Sequence, residues 1–160
     1  QHHILETHLI DLADQQSLTL FPDFPVKDYE TISFQFGMDS SYHVSQSVEG
    51  DLDPLKGMYW AWQSGYINFK IEGKSSSCKT RNNAFQFHVG GYLKPNYAIR
   101  TIELNTKNSN FEVVIDLAQL FNQIKLSEIN SIMIPGSKAS DIADKAKLMF
   151  SISEFSPNEK

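Results

Sequence analysis

Residues 66–72 read Tyr-Ile-Asn-Phe-Lys-Ile-Glu, and this alternation of apolar and polar side chains is the clearest structural signal in the chain. Successive side chains of a β-strand point to opposite faces of a sheet, so the two isoleucines and the phenylalanine are predicted to face inward. Segments 31–36 and 84–89 repeat the pattern, and each is followed by glycine. The three segments predict strands that are buried on one face.

Further short segments of this kind are spread along the chain. Helical spacing of apolar residues predicts one short helix after Asp116 and a second from Ser137. Between polar turns, additional strands are predicted at 7–12, 97–104, 111–115 and 131–134.

About six to eight short strands with one or two helical insertions indicate an all-β fold, an antiparallel β-sandwich of the immunoglobulin-like kind. A length of 160 residues suits a single domain. We expect that domain to span 1–155 and the polar segment 156–160 to form a flexible tail.

The composition excludes several classes of protein. The net charge is −5, from 14 basic and 19 acidic residues, which is the wrong sign for a general binder of nucleic-acid phosphates. The single cysteine, Cys78, excludes an internal disulfide framework and a cysteine zinc ribbon. No apolar run reaches the roughly 20 residues that a membrane-spanning helix needs, so no membrane span is predicted.

His88 is the histidine with the most informative position. It lies on the predicted strand 84–89, on the face opposite Phe85 and Phe87, and Gly90-Gly91 follows it. It is therefore either a sheet histidine held by a hydrogen bond or a metal ligand on a rigid strand. The sequence contains no H-E-x-x-H, G-x-S-x-G or P-loop motif, and no activated nucleophile is evident, so the protein is not expected to be an enzyme.

Both tryptophans, Trp60 and Trp62, lie two residues apart in the segment 57–66. In an extended segment they point the same way and form either part of the core or a stacking platform for a ligand. Nearby, Asp51 and Asp53 offer the oxygen ligands that Ca²⁺ prefers, although without the full spacing of a calcium loop.

Three stretches resemble one known family. They are G-D-L-D-P-L-K-G-M-Y-W-A-W-Q-S-G-Y-I-N-F-K-I-E-G at 50–73, F-Q-F-H-V-G-G-Y at 85–92 and I-M-I-P-G-S-K-A-S-D-I-A-D-K-A-K-L-M-F at 132–150. The pattern is similar to that of the MbnP-like family of bacterial copper-binding proteins, which is related to copper-repressible surface proteins of methane-oxidising bacteria. The resemblance spans about residues 6–150, and its most specific part is M-x-W-x-W-x-x-G-Y. The residues W-Q-S-G-Y-I-N-F-K at 62–70 are similar to those of Bacteroidetes members.

The resemblance implies an exported protein, periplasmic or on the cell surface, that is all-β, is not an enzyme and binds copper through histidine nitrogen. In relatives one tryptophan is oxidised to kynurenine and helps to ligate copper, and a di-haem partner of the cytochrome c peroxidase type (MbnH) performs that oxidation. Carried over by position, His88 binds the metal and Trp60 or Trp62 is oxidised, with Trp60 favoured. Tyr59 and Tyr66 would complete an aromatic pocket around them.

The chain also departs from the family pattern. Trp62 stands where a Trp-x-His arrangement would place histidine, and Asn130 stands where many relatives carry histidine. Family members also usually begin with a signal and further strands, which are not seen here, so the chain is expected to be processed or truncated. Replacement ligands for the missing imidazole are expected among the remaining donors: His8, His43, Met58 and Met133.

Two alternatives remain open from the residues alone. The first is a carbohydrate-binding or small-ligand-binding module that uses Trp60 and Trp62 as a platform, and it predicts ligand binding that metal chelators do not affect. The second is a structural surface domain in which both tryptophans are plain core.

Overall fold

The computed structural model describes residues 6–20, 29–45, 49–60, 65–107 and 111–154, and the predicted tail at 156–160 lies outside them. Strands dominate the described chain, and three short α-helices interrupt them. The strands are β1 (Thr31–Phe36), β2 (Tyr59–Trp60), β3 (Gly65–Lys74), β4 (Ala84–Gly90), β5 (Arg100–Asn105), β6 (Phe111–Ile115), β7 (Ser131–Ile132) and β8 (Phe150–Glu154). The helices are α1 (Ser40–Ser45), α2 (Leu117–Phe121) and α3 (Ser137–Ala146).

The strands form one four-stranded sheet, in the order β2-β3-β4-β7, and two pairs, β1-β5 and β6-β8. All neighbouring strands are antiparallel except β4 and β7, which run parallel. A parallel neighbour requires a long crossover, and the chain between β4 and β7 supplies one that contains β5, β6 and α2. The all-β, sandwich-like class predicted from the sequence is confirmed, with this one parallel pair as an exception to the antiparallel pattern.

Phe36 joins the three sheets. Its ring stacks on Phe69 of β3 at 5.2 Å between centroids and meets Phe150 of β8 edge-on at 4.9 Å. Aromatic pairs at these separations add to the free energy gained by burying their area. Phe36 and Phe150 therefore pack against the core at its Phe69 end.

The centre of the core lies between β4 and α3. Phe87 and Val89 have no exposed surface, and they belong to one buried cluster with Leu120 of α2. The buried face of α3 is mostly alanine, which lets the helix approach the sheet closely. The residues of that face are Ala139, Ile142, Ala143 and Ala146.

Both predicted helices are present, whereas the strand predicted at 7–12 is wrong. That segment adopts no regular strand, because the backbone N–H of Leu9 donates to the Asp51 carboxylate at 3.0 Å instead of to a neighbouring strand. Among the helices that the structure describes, none combines the length and the hydropathy required to cross a membrane.

Replacing Phe87 with alanine tests the core. Phe87→Ala removes a fully buried ring, and we expect the free energy of unfolding to fall by about 3–5 kcal/mol, measured by urea denaturation. The matched control is Gln86→Ala on the exposed side of the same strand, for which we expect a change within about 0.5 kcal/mol. Equal losses in the two variants would contradict this placement of the core.

Candidate metal centre

The alternation of β4 places His88 on the face opposite the core. Phe85, Phe87 and Val89 are buried on the inner side, so His88 points to the outer face of the sheet. The residue is 9% exposed and pairs directly with Lys70 of β3. The position predicted from the sequence is therefore confirmed: His88 stands on a strand, outside the core cluster.

Glu72 provides the hydrogen-bond partner of His88. Glu72 Oε1 lies 2.6 Å from His88 Nε2, and this bond, followed by the charge of Lys70, lowers the pKa of the Glu72 carboxyl. Glu72 was not among the residues expected at the site. Its place on the polar face of strand 66–72 was visible, but only the register between β3 and β4 shows that it reaches His88.

The indole of Trp60 lies over Gly90. A Cβ atom at Gly90 would stand 2.8 Å from Trp60 Cζ3 and 2.6 Å from the Tyr66 carbonyl oxygen, so the ring occupies the space that any other side chain would fill. Gly90 is two residues from His88 on the same strand. Trp60 and His88 therefore share the outer face of the sheet. Trp62 lies outside the described residues.

A β-bulge in β3 sets this arrangement. Ile67 pairs with Gly90 and Phe69 pairs with Val89, so Asn68 is the additional residue. The Asn68 side-chain oxygen accepts a hydrogen bond from the Met38 N–H at 3.2 Å. Because the bulge shifts the register by one residue, Ile67 turns to the face that carries Gly90 and Trp60 instead of to the core.

Met133 is the residue that follows β7, the parallel neighbour of β4. In the parallel pair, Gln86 stands beside Ser131 and Phe87 beside Ile132. These pairs end one residue before His88 and Met133 on the two strands. The Met133 side chain is half-buried. A thioether is a soft donor that suits Cu(I).

His43 is locked by two hydrogen bonds. Its Nε2 donates to the Met38 carbonyl at 3.0 Å, and its Nδ1 accepts the Tyr66 backbone N–H at 3.1 Å. The ring also stacks on Tyr92 at 3.9 Å. Since both ring nitrogens are engaged, a metal would have to displace one of these bonds, and we leave His43 out of the ligand set.

The tyrosines of the predicted aromatic pocket are separated from the indole. Tyr59 pairs directly with Tyr66 across β2 and β3, and their rings meet edge-on at 5.0 Å. Each is one position along its strand from the Trp60–Gly65 pair, and so lies on the opposite face. The Tyr66 hydroxyl donates to the Leu52 carbonyl at 2.9 Å, and burial raises the pKa of Tyr66.

Asp51 and Asp53, the candidate calcium ligands, are used within their own loop. Asp51 binds the Lys56 ammonium, which lowers the pKa of the Asp51 carboxyl, and it also accepts the Leu9 N–H. Asp53 accepts the Leu55 N–H at 2.8 Å. These bonds indicate a structural role for both carboxylates.

His8 lies in the same region as Asp51. It contacts Glu6 at 3.2 Å in an exposed pair, and its neighbour Leu9 is the residue tied to Asp51. The described bonds therefore connect His8 to this loop, and the bond of His88 runs to Glu72 instead.

Within the described ranges, histidine, cysteine, aspartate and glutamate side chains form no group of three or more that is arranged to hold a metal ion. A site built from these residues must therefore include a donor of another kind. The Met133 thioether, one residue beyond β7, is a donor of another kind. The donor set fits a soft metal ion better than a hard one.

Gly90→Ala tests the packing of the indole. The added methyl group would collide with the Tyr66 carbonyl and the Trp60 ring, so we expect a loss of about 1–3 kcal/mol in the free energy of unfolding and a changed near-ultraviolet circular dichroism spectrum. Gly136→Ala is the control, because no atom lies within 4 Å of a Cβ there. If both variants behave like the wild type, Trp60 does not cover Gly90.

His43 predicts a specific pH dependence of stability. Burial lowers the pKa of His43, against smaller opposing effects of the Met38 bond and Asp39. Above the ordinary pKa of about 6.5, the imidazole is neutral in the folded and in the unfolded chain. Its contribution to the free energy of unfolding is then fully present. As the pH falls below that value, the unfolded chain takes up a proton that the folded chain resists, so stability decreases.

Urea denaturation from about pH 8 to about pH 5 measures this effect. We expect His43→Gln to be less stable at neutral pH and to lose less stability on acidification than the wild type. His8→Ala, at an exposed histidine, should keep the wild-type pH dependence. Parallel profiles for the wild type and His43→Gln would contradict the prediction.

Comparison with known proteins agrees with the resemblance. A protein-family model described as MbnP matches residues 2–134, which is most of the chain. No curated protein and no solved structure matches it. The MbnP family is linked to copper-related function. The chain therefore belongs to the MbnP family.

Proposed function

We propose that this protein is an exported, non-enzymatic copper-binding protein whose metal is held on the outer face of β4. His88 supplies an imidazole nitrogen, Met133 a thioether and Trp60, after oxidation to kynurenine, an additional donor. Bound copper would supply a soft, redox-active centre. Family membership supports the copper function, and the residues are chosen from their placement.

One observation carries the choice of residues: the Trp60 ring covers Gly90, two positions from His88 on the same face of one strand. A rigid strand holds the imidazole, and Gly90 lets the aromatic ring approach the backbone closely. Trp60 is 5% exposed, so its surroundings limit the access of water and thereby influence the redox behaviour of a nearby metal.

The burial of the Trp60 ring argues against the carbohydrate-binding alternative. A stacking platform presents an open ring face to its ligand, whereas Trp60 is buried. Trp62 lies outside the described residues, so the alternative would rest on that ring alone. We therefore propose no glycan-binding function.

The oxidation of Trp60 requires a partner that supplies oxidising equivalents. We propose a di-haem protein of the peroxidase type that uses hydrogen peroxide as oxidant. Two peroxide molecules add two oxygen atoms across the indole C2–C3 bond, which breaks, and are reduced to two waters. Hydrolysis then releases the formyl carbon as formate and leaves kynurenine. The chain itself contributes the fixed position of the ring and no catalytic group.

Copper titration tests the ligand set. For Cu(I), measured in competition with a chromophoric chelator, we expect His88→Ala to bind roughly 10-fold more weakly or worse, and Met133→Leu to bind more weakly than the wild type. His8→Ala serves as the control and should bind like the wild type, because the His8 imidazole pairs with Glu6. Identical affinities for His88→Ala and the wild type would remove His88 from the site.

Mass spectrometry of the protein from its native source tests the modification. Conversion of tryptophan to kynurenine loses one carbon and gains one oxygen, a change of about +4 Da, and we expect it on the peptide that carries Trp60. The Trp60→Phe variant should lack the shift. A shift that maps to Trp62 would show that the assignment to Trp60 is wrong.

A further inference from the structure

The bond between Glu72 and His88 is a diagonal contact across two strands. Glu72 pairs directly with Gln86, and Lys70 pairs directly with His88. Diagonal neighbours on one sheet face are about 7–8 Å apart, within reach of a long side chain. The glutamate spans this distance and brings its Oε1 to 2.6 Å from His88 Nε2. The Glu72 side chain remains 52% exposed to solvent.

The charge state of Glu72 determines the direction of this hydrogen bond. The Glu72 side chain is half-exposed, and a solvent-accessible glutamate is ionised at neutral pH, so its carboxylate can only accept. The His88 Nε2 must therefore carry the proton. In a neutral imidazole, the proton on Nε2 leaves the lone pair on Nδ1.

The Nδ1 atom of His88 is available for a further bond. Among the residues that the structure describes, the bond to Glu72 is the one hydrogen bond that the His88 imidazole makes. His43 offers the contrast, since both of its ring nitrogens are engaged by backbone groups. Of these two buried histidines, His88 alone presents an uncommitted lone pair.

We propose that Glu72 is a positioning residue that fixes the Nε2–H tautomer of His88 and thereby makes Nδ1 the nitrogen that binds the metal. This inference rests on the proposed copper function and names the atom and the carboxylate through which it works. Histidines that bind metals commonly donate their other ring N–H to a carboxylate, which orients the ring and raises its basicity. The Glu72–His88 pair has that arrangement, and the hydrogen bond from His88 Nε2 to Glu72 forms without a bound metal.

The tautomer is measured first, in the metal-free protein. With ¹⁵N-labelled histidine, NMR distinguishes a protonated ring nitrogen from one with a lone pair. We expect His88 of the wild type to be protonated at Nε2 throughout and Glu72→Ala to show a mixture of both tautomers. Glu103→Gln, which removes an exposed carboxylate from β5, is the matched control and should match the wild type. Protonation at Nδ1 in the wild type, or a Glu72→Ala spectrum identical to it, would overturn the inference.

The metal-binding atom is measured next, with Cu(I) alone as the probe. We expect the Nδ1 resonance of His88 to shift on addition of Cu(I), while Nε2 keeps its proton. Glu72→Gln retains an oxygen acceptor but loses the charge, so we expect Cu(I) affinity to fall roughly 10- to 100-fold with the tautomer preserved. Loss of the Nε2 proton on metal binding would contradict the assignment of Nδ1.

The two stages separate this inference from the copper function. A wild type with the expected tautomer that binds no Cu(I) would overturn the proposed function and the metal-binding half of the inference. A wild type that binds Cu(I) with equal affinity in the Glu72→Gln and Glu103→Gln variants would leave the copper function standing and remove Glu72 from its mechanism.

Discussion

The pairing of β3 with β4 is the constraint on which the rest of the structure depends. Its register assigns Phe87 and Val89 to the core and His88 to the outer face. A slip by one residue would exchange these faces, and burial of two large apolar side chains against α3 opposes that slip. The imidazole is thus held in place by the packing of its neighbours on the other side of the sheet.

The bulge at Asn68 extends this constraint to the tryptophan. It adds one residue to β3 at the point where Gly90 ends β4, and the space above Gly90 is filled by the Trp60 ring. The absence of a side chain at Gly90 is therefore a packing requirement, because the indole and the Tyr66 carbonyl occupy the positions that a Cβ would need. The Trp60 ring can lie on the face of the sheet that carries the His88 imidazole because Gly90 has no side chain.

The two buried histidines differ in their hydrogen-bond partners, and these partners determine whether a ring nitrogen can bind a further group. His43 donates to the Met38 carbonyl and accepts from the Tyr66 N–H, so its role is to connect α1 with β3. His88 donates to a carboxylate and keeps one lone pair. The residue type and burial are alike, 8% and 9% exposed, and the difference lies entirely in the groups that face each ring.

The amino-acid sequence by itself determined the strand at 66–72, the faces of β4, both helices and the resemblance to the MbnP family, because these follow from local periodicity and short motifs. It failed at 7–12, where a carboxylate distant in sequence takes the backbone N–H. It also grouped Tyr59 and Tyr66 with the indole, although pairing puts them on the other face. Only the tertiary structure decided that Glu72 meets His88, that Met133 follows a strand paired with β4 and that both ring nitrogens of His43 are engaged. The bonds of Glu72 to His88 and of His43 to Tyr66 join residues far apart in the chain. The first depends on strand register, which local pattern does not contain.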